Sequence, residues 1–429
     1  MKIFNAQQLN DQQRRQLVTR PSQSATFSND AVQSLCADIK RRGDDALREC
    51  TQRFDKVHIQ NFRVTKEEFE AAQKIVPESF KQSLTIAVNN LRAFHQTQIP
   101  NVQQVETMPG IVCKREPRAI ERVGLYVPAG SAPLPSTVLM LGVPATLAGC
   151  SRIILCSLPK TNGNVDPYVL VAADVLGIHE VYKAGGAQAI AAMAYGTQSI
   201  PKVDKIFGPG NRYVAAAKQI VSNDSDGAAI DMLAGPSEVL VIADEAANSA
   251  VVCYDLISQA EHDPDAQAVL VTNSAAFAQS VSAQLEQRAK EFSRQEIILK
   301  SLQNCFALIV SSIEDAVKFS NEYAPEHLVI NTKNAERIIP SIINAGSVFV
   351  GRFAPVTAGD YASGTNHTLP TSGTARWFSG VSVESFMKMV TFQVLTKQGL
   401  QSLEPVLSDF AKAEGLDAHA RAVTSRLKE

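Results

Sequence analysis

The segment Glu180–Ser222, EVYKAGGAQAIAAMAYGTQSIPKVDKIFGPGNRYVAAAKQIVS, decides the fold class. It contains the same unit twice: a short β-like run (Glu180–Lys183, then Lys205–Phe207), a glycine-rich turn, and a helical run (Ala187–Tyr195, then Asn211–Ser222). Strands separated by helices of about ten residues argue for right-handed βαβ units and a parallel sheet. The two turns are AGGAQ at Ala184–Gln188 and FGPGN at Phe207–Asn211. A third lies upstream at Tyr126–Ser136, between the run Arg122–Val127 and an apolar helix, and the run Arg152–Ser157 and a helix near Pro167–Leu176 fill the interval. Such turns sit at the carboxyl edge of a parallel sheet, where helix N-termini receive phosphates and dinucleotides. Tight turns needing glycine for backbone reasons alone are the competing reading. Neither GxGxxG after a strand nor GxxxxGK[ST] occurs, so neither standard nucleotide fingerprint applies.

A second alternating series begins with IDMLAGPSEVLVIAD (Ile230–Asp244). It continues through the expected strands Val239–Ala243, Ala268–Thr272, Phe306–Val310, His327–Ile330 and Ser347–Val350, with helices Ala247–Glu261, Ser274–Phe292 and Glu314–Tyr323 between them. The fold class expected is therefore α/β, with two Rossmann-like parallel-sheet domains, one inserted in the other. The division reads as a helical extension at 1–24, one α/β domain from 25–110 plus 235–380, an inserted α/β domain at 111–234, and a helical tail at 381–429. Helices are expected at 6–18 and 29–54. Thr65 with Glu68 forms a capping box opening a helical region to about Gln98, broken near Pro77. Ile111–Glu116 and Arg122–Val127 read as two short runs about a turn at Pro117. The tail reads as helices at Val383–Val390, Gln401–Glu414 and Asp417–Leu427.

With 41 basic and 43 acidic residues, there is no bulk electrostatic pull toward nucleic acid or membrane. The N-terminal stretch is too polar for a signal peptide, and no apolar run approaches the ~20 residues that span a bilayer. A soluble cytoplasmic protein is expected. The seven cysteines are scattered, with no CxxC pair, and read as reduced thiols.

The chemistry concentrates in the second half. Ala358–Pro370, AGDYASGTNHTLP, is polar without a clear period and reads as the wall of a site, with Asp360 and His367 as its chemical groups. Gln259 and His262 (QAEH) are three apart near the end of a helix, a spacing that suits two ligands of one metal; a C-terminal histidine favoured by the helix dipole is the bland alternative. Glu326 and His327 adjoin at a loop–strand junction and could supply two proton-transfer groups, or form a buried structural ion pair. His419 lies on the last helix, preceded by Glu414. Imidazoles, a carboxylate and an amide suit zinc. His58 and His95 read as surface or structural histidines.

Taken together, GLYVPAGSAPLPSTVLM, GGAQAIAAMAYGT, VDKIFGPGN, IDMLAGPSEVLVIAD, SQAEHDPDAQ, PEHL, AGSVFVG, AGDYASGTNHTLPTSGTAR and EGLDAHARAV resemble the histidinol dehydrogenases, from about residue 120 to the C-terminus. The resemblance implies a zinc-dependent enzyme that oxidises L-histidinol to L-histidine through an aldehyde, with two NAD+, as a homodimer. Carried over residue by residue, it implies zinc ligands Gln259, His262, Asp360 and His419. Further substrate contacts would be Ser237, His327 and Glu414. Glu326 and His327 would form the acid–base pair, and Tyr126, Gln188 and Asn211 the NAD site in the inserted domain. It also implies that the C-terminal tail completes the site of the partner subunit, so that Glu414 and His419 act across the dimer. The alternatives are a related zinc- and NAD-dependent dehydrogenase of another small amino or sulfonated alcohol, a zinc hydrolase using Glu326 and metal-bound water, and a non-catalytic binding protein.

Overall fold

The computed structural model describes residues 1–20, 29–130, 132–232 and 235–428. The expected boundaries at 24/25 and 234/235, Ser131 of the first glycine-rich turn, and Leu233–Ala234 of the Ile230–Asp244 motif lie outside the described residues or abut them. In chain order the strands are β1 Lys2–Asn5, β2 Gln103–Met108, β3 Ile111–Ala119, β4 Arg122–Val127, β5 Arg152–Ser157, β6 Glu180–Lys183 and β7 Lys205–Phe207. They continue with β8 Ala229–Ile230, β9 Glu238–Ala243, β10 Gln267–Thr272, β11 Phe306–Ile309, β12 His327–Asn331, β13 Ser347–Val350 and β14 Met387–Leu395.

Two of the three sheets are parallel throughout. The smaller has the order β6-β5-β4-β7-β8 and the larger β1-β11-β10-β9-β12-β13. In each, the strand first in its series lies beside the fourth, so the direction of winding reverses between β4 and β7 and between β9 and β12. That reversal opens a crevice at a sheet edge. The chain between β4 and β8 builds the smaller sheet and interrupts the larger, whose strands come from residues 2–5 and 238–350. The expected fold class, two Rossmann-like parallel-sheet units with one inserted in the other, is what forms.

Helices cover both faces of the two parallel sheets, so their strand residues are apolar in both directions. Along β9, Val239, Val241 and Ala243 join one core while Leu240 and Ile242 join the core on the other face. Glu238 is the exception: a carboxylate 1% exposed at the first position of an otherwise apolar strand.

Several elements differ from expectation. The chain opens with β1, parallel to β11 at the sheet edge, before the helix Asp11–Val18. The expected helix over 29–54 divides into Asp30–Arg42 and Asp44–Cys50 at Gly43, whose φ of 61° no helical residue adopts. The Thr65–Glu68 capping box forms, and Pro77 separates Lys66–Ile75 from Glu78–Gln96 as expected.

The main correction is at Val383–Val390. This stretch is no helix; after a short turn at Glu384–Phe386 the chain becomes β14, antiparallel to β3 from Met387↔Ala119 to Leu395↔Ile111. With β2 on the other side of β3, it forms a third, antiparallel sheet. Pro117 is accordingly a strand residue and no turn; β2 reaches only as far as Arg115, so Pro117 stands where β3 has a free edge and its missing N–H is tolerated. The C-terminal helices Lys397–Ala413 and Asp417–Leu427 form as a pair.

Candidate active site

The smaller sheet contributes its carboxyl edge. Tyr126 is near the end of β4, Gln188 is in the first turn of the helix Gly186–Tyr195, and Asn211 caps the helix Arg212–Ser222 after β7. Each is tied to its surroundings. The Tyr126 hydroxyl accepts from the Gly186 N–H at 3.0 Å, Gln188 Nε2 donates to Asp55 Oδ2 at 3.1 Å, and Asn211 Oδ1 accepts from the Tyr213 and Val214 N–H groups at 3.0 and 3.2 Å. Gln188 Oε1 and Asn211 Nδ2 make no hydrogen bond among the described residues. Burial pushes the Asp55 carboxyl up to about 6.

The floor of this crevice is Gly208, where φ is +124° and an added Cβ would lie 2.1 Å from the Tyr126 carbonyl oxygen. Only glycine permits that approach of β7 to β4. The Gly208 peptide is clamped at both ends: its N–H donates to Asp231 Oδ2 at 2.8 Å, and its carbonyl accepts from Lys218 Nζ at 2.5 Å. Lys218 Nζ also lies 2.5 Å from Asp231 Oδ1, and both side chains are 2% exposed.

The larger sheet contributes the opposite end of its strands. Glu238 and His327 are the first residues of β9 and β12, and Glu326 immediately precedes β12. Helices that return between parallel strands run antiparallel to them, so the C-terminal end of Ser249–Ala260 lies at this same amino edge and brings Gln259 and His262. Gln259 is buried within the helix, whereas His262 lies just beyond it and is exposed. Asp360 comes from a helix, Val356–Tyr361, where the sequence had suggested an irregular loop.

These groups meet. His327 Nε2 is 3.6 Å from Asp360 Oδ1, and His327 Nδ1 is 3.4 Å from Glu326 Oε2 and 3.1 Å from the Glu238 carbonyl oxygen. Burial alone would lower the His327 imidazole; the Glu326 and Asp360 carboxylates outweigh it and raise it to about 10. Burial likewise works against ionisation of Asp360, but the His327, His367 and His262 imidazoles overcome it and hold the carboxyl below its usual range. His327 Nε2 and Gln259 Nε2 are fully buried and have no hydrogen-bond partner among the described residues. A buried, unpartnered imidazole nitrogen beside a carboxylate held in its ionised form marks a place for something else to bind.

His367 joins the two edges. Its Nδ1 is 2.9 Å from the Asp360 carbonyl oxygen and its Nε2 is 3.2 Å from Thr137 Oγ1, in the first turn of the helix after β4. Beside it Asn366 Nδ2 donates to the Met140 carbonyl at 2.6 Å and approaches the buried His95. His95 is thus a satisfied structural histidine, and His58 is exposed. Ser237 is half-buried next to Glu238.

Within one chain, two expected residues stay apart from this cluster. Glu414 and His419 are exposed on the C-terminal helix pair, and among the described residues no group of three or more His, Cys, Asp and Glu is placed to hold a metal. The Gln259 amide, the His262 imidazole and the Asp360 carboxylate are of kinds that suit zinc.

Sequence reasoning missed Arg20, which binds Glu238 through two hydrogen bonds of 2.8 Å each. It also missed Glu238 itself and the Lys218–Asp231 clamp. The available signal was a charged residue inside an apolar run: Glu238 opening EVLVIA, and Lys218 within VAAAKQIV.

Comparison with known proteins agrees with this geometry. The family model described as histidinol dehydrogenase matches residues 18–427. A histidinol dehydrogenase of Xanthomonas euvesicatoria is 51% identical over 100% of this chain and 99% of its own length. One of Vibrio parahaemolyticus is 49% identical over 99% of this chain and 97% of its own. A crystal structure of histidinol dehydrogenase from Elizabethkingia anophelis superposes with a TM-score of 0.94 at 47% identity, covering 100% of this chain and 98% of that one. With the matched model spanning both sheets, the Glu326–His327 junction and the Asp360 segment, the chain belongs to the histidinol dehydrogenase family and is an oxidoreductase acting on histidinol.

Proposed function

We propose that the chain carries out a zinc-dependent, four-electron oxidation of L-histidinol to L-histidine through histidinal, using two NAD+, as a cytoplasmic enzyme ending histidine biosynthesis. The observation that carries the reading is the state of His327. Its Nδ1 faces only acceptors, the Glu238 carbonyl and Glu326 Oε2, while its Nε2 is buried and unpartnered beside Asp360. With Nδ1–H held by these acceptors, Nε2 is the nitrogen that exchanges a proton with a bound alcohol. The neighbouring carboxylates favour the imidazolium, so Asp360 must be engaged elsewhere, as by a metal ion, before Nε2 acts as a base.

In the first half-reaction His327 Nε2 takes the hydroxyl proton of histidinol as hydride leaves the carbinol carbon. Glu326 then takes a proton from water as it adds to the aldehyde while His327 returns its proton to the aldehyde oxygen, and the hydrate gives up a second hydride to NAD+ and a hydroxyl proton to His327 to leave the acid. Each positioned proton-transfer group contributes ~10²–10⁴-fold. NAD supplies the hydride acceptor in each half, in the crevice between Tyr126, Gln188 and Asn211. Zinc held by Gln259, His262 and Asp360 would supply orientation of the substrate's imidazole and amino nitrogens. Ser237 would be a further substrate contact.

The fourth zinc ligand in this reading is His419 of a second copy, with Glu414 as a substrate contact, so that the enzyme is a homodimer with shared sites. Supporting it, the tail helices expose Val406, Phe410 and Leu416, and β14 exposes Val394, apolar surface that a second chain would cover. No helix among the described residues is long and apolar enough to cross a membrane.

The deciding experiment follows NADH after addition of L-histidinol to zinc-loaded protein, against a panel of small amino and sulfonated alcohols. Two NADH per histidinol are expected, with Glu326→Gln and His327→Asn slowed about 10²–10⁴-fold at retained substrate affinity. Asp360→Asn is expected to lose zinc on elemental analysis. One NADH per substrate, or near-normal turnover in the two acid–base variants, overturns the reading.

A further inference from the structure

We propose that Glu238, clamped by Arg20 from the N-terminal segment, is the positioning residue that fixes both members of the Glu326–His327 pair. The inference rests on the acid–base roles assigned above and adds the residues through which those roles are held.

The contacts between Glu238 and the pair are reciprocal. The Glu238 N–H donates to Glu326 Oε2 at 2.8 Å, and the Glu326 N–H donates back to Glu238 Oε1 at 3.2 Å. The Glu238 carbonyl accepts from His327 Nδ1 at 3.1 Å. One residue therefore contacts Glu326 through both its main chain and its side chain, and holds the His327 Nδ1–H through its own carbonyl. Glu238 is the first residue of β9, and β9 pairs with β12 from Val239↔His327 onward. Both acid–base residues thus stand against the same neighbouring strand, and a shift of Glu238 moves them together.

Glu238 is in turn held by Arg20. Nε and Nη2 each donate to one carboxylate oxygen at 2.8 Å, the two-pronged geometry that locks a carboxylate in plane. Arg20 Nη2 also reaches the Ala324 carbonyl at 3.3 Å, Nη1 donates to the Val18 carbonyl at 2.8 Å, and the guanidinium lies 3.5 Å above the Tyr323 ring. The Tyr323 hydroxyl donates to Gln267 Oε1 at 2.7 Å. Arg20 and Glu238 are 4% and 1% exposed, so this is interior structure. Neither faces His327 Nε2, where the substrate is read to bind, so neither takes part in proton transfer itself.

A generic buried ion pair would stabilise or destabilise the fold and leave the reacting geometry alone. The inference requires more: loosening Arg20 must slow the chemical step. The test uses full-length, zinc-loaded enzyme in four forms: Arg20→Lys, Arg20→Met, Glu238→Gln, and the double variant Arg20→Met/Glu238→Gln, which carries no orphaned charge and so remains available if a single variant does not fold. Steady-state parameters per folded, zinc-containing chain are read with L-histidinol and with histidinal, together with the deuterium isotope effect at the carbinol carbon. A misplacement of about 1 Å costs on the order of 100-fold, so kcat is expected to fall about 10- to 100-fold with both substrates in Arg20→Met and in the double variant. KM for histidinol and NAD and the zinc content should stay at wild-type values, and the isotope effect should rise as chemistry becomes limiting. Arg20→Lys should fall between, since an ammonium keeps the charge and loses the fork. Wild-type kcat in the double variant, or a loss confined to KM or zinc content, overturns the proposal. Glu326→Gln and His327→Asn run alongside: normal turnover in those two refutes the acid–base reading, whereas their loss with normal Arg20 variants refutes the positioning role alone.

Discussion

Replacing Lys218 by Met should both destabilise the fold and weaken NAD binding, because a single ammonium neutralises one charge and holds one peptide. Lys218 Nζ lies 2.5 Å from Asp231 Oδ1 and donates to the Gly208 carbonyl at 2.5 Å, in an interior where both side chains are 2% exposed. Methionine fills the same volume but leaves Asp231 as a buried, uncompensated carboxylate, a defect that costs about 3–5 kcal/mol. At roughly 2–4 °C per kcal/mol, melting should fall by about 6–20 °C. The double variant Lys218→Met/Asp231→Asn removes the orphaned charge and should recover more than half of that loss. The loop after β7 should not recover with it, since the Gly208 carbonyl is still released and the Asn211 turn follows directly. Thermal unfolding with and without saturating NAD measures both effects. A melting point within about 2 °C of wild type for Lys218→Met, or a double variant as unstable as the single one, would refute the reasoning that the pair is a charge-compensated clamp.

Three further outcomes are expected. Gly208→Ala must open the contact between β7 and β4, since its Cβ would meet the Tyr126 carbonyl at 2.1 Å; KM for NAD should rise at least about tenfold with zinc content unchanged, about 1.4 kcal/mol in binding. Asp255, 9% exposed on the helix that carries Gln259, is pushed by burial to about 6. The folded state therefore holds a proton that the unfolded chain, at about 3.9, releases. Stability falls as pH rises through that window, and Asp255→Asn should be more stable than wild type by on the order of 2–3 kcal/mol above pH 6, the gap closing below about pH 4; a pH-independent difference in denaturant midpoints would count against it. Finally, His327→Asn and His419→Ala, each inactive alone, should regain about a quarter of wild-type activity after mixed refolding if sites are shared in a dimer, because half the dimers are hybrids with one intact site. No recovery would place His419 outside the neighbouring site.

What could be read without coordinates was whatever depends on neighbours in sequence. The alternation of β runs and helices, the Thr65–Glu68 box, the break at Pro77 and the three-residue spacing of Gln259 and His262 are local. The adjacency of Glu326 and His327 at the start of an expected strand marked them as a candidate pair, but not that both side chains stay near one another and against Glu238. Met387–Val390, the first part of β14, was misread as helix because the strand's side chains are mostly exposed, so no buried face stamps a period of two on the sequence. Its strand character comes from pairing with β3, far away in the chain. β1 is likewise a strand only because β11 offers it an edge.

The same distinction separates the chemistry the sequence determined by itself from the arrangement that only the tertiary structure decided. Residue types and short spacings single out candidates for a metal site, a proton-transfer pair and a dinucleotide-binding edge, because those depend on side-chain chemistry and local geometry. Which edge of each sheet is used, and what holds the groups in place, depends on contacts between distant residues. Lone charges such as Glu238 and Lys218 have no local meaning until Arg20 and Asp231 arrive from other elements to compensate them. A buried charge is tolerated only with its counter-charge in place, so its role is written in the fold and not in the residues beside it.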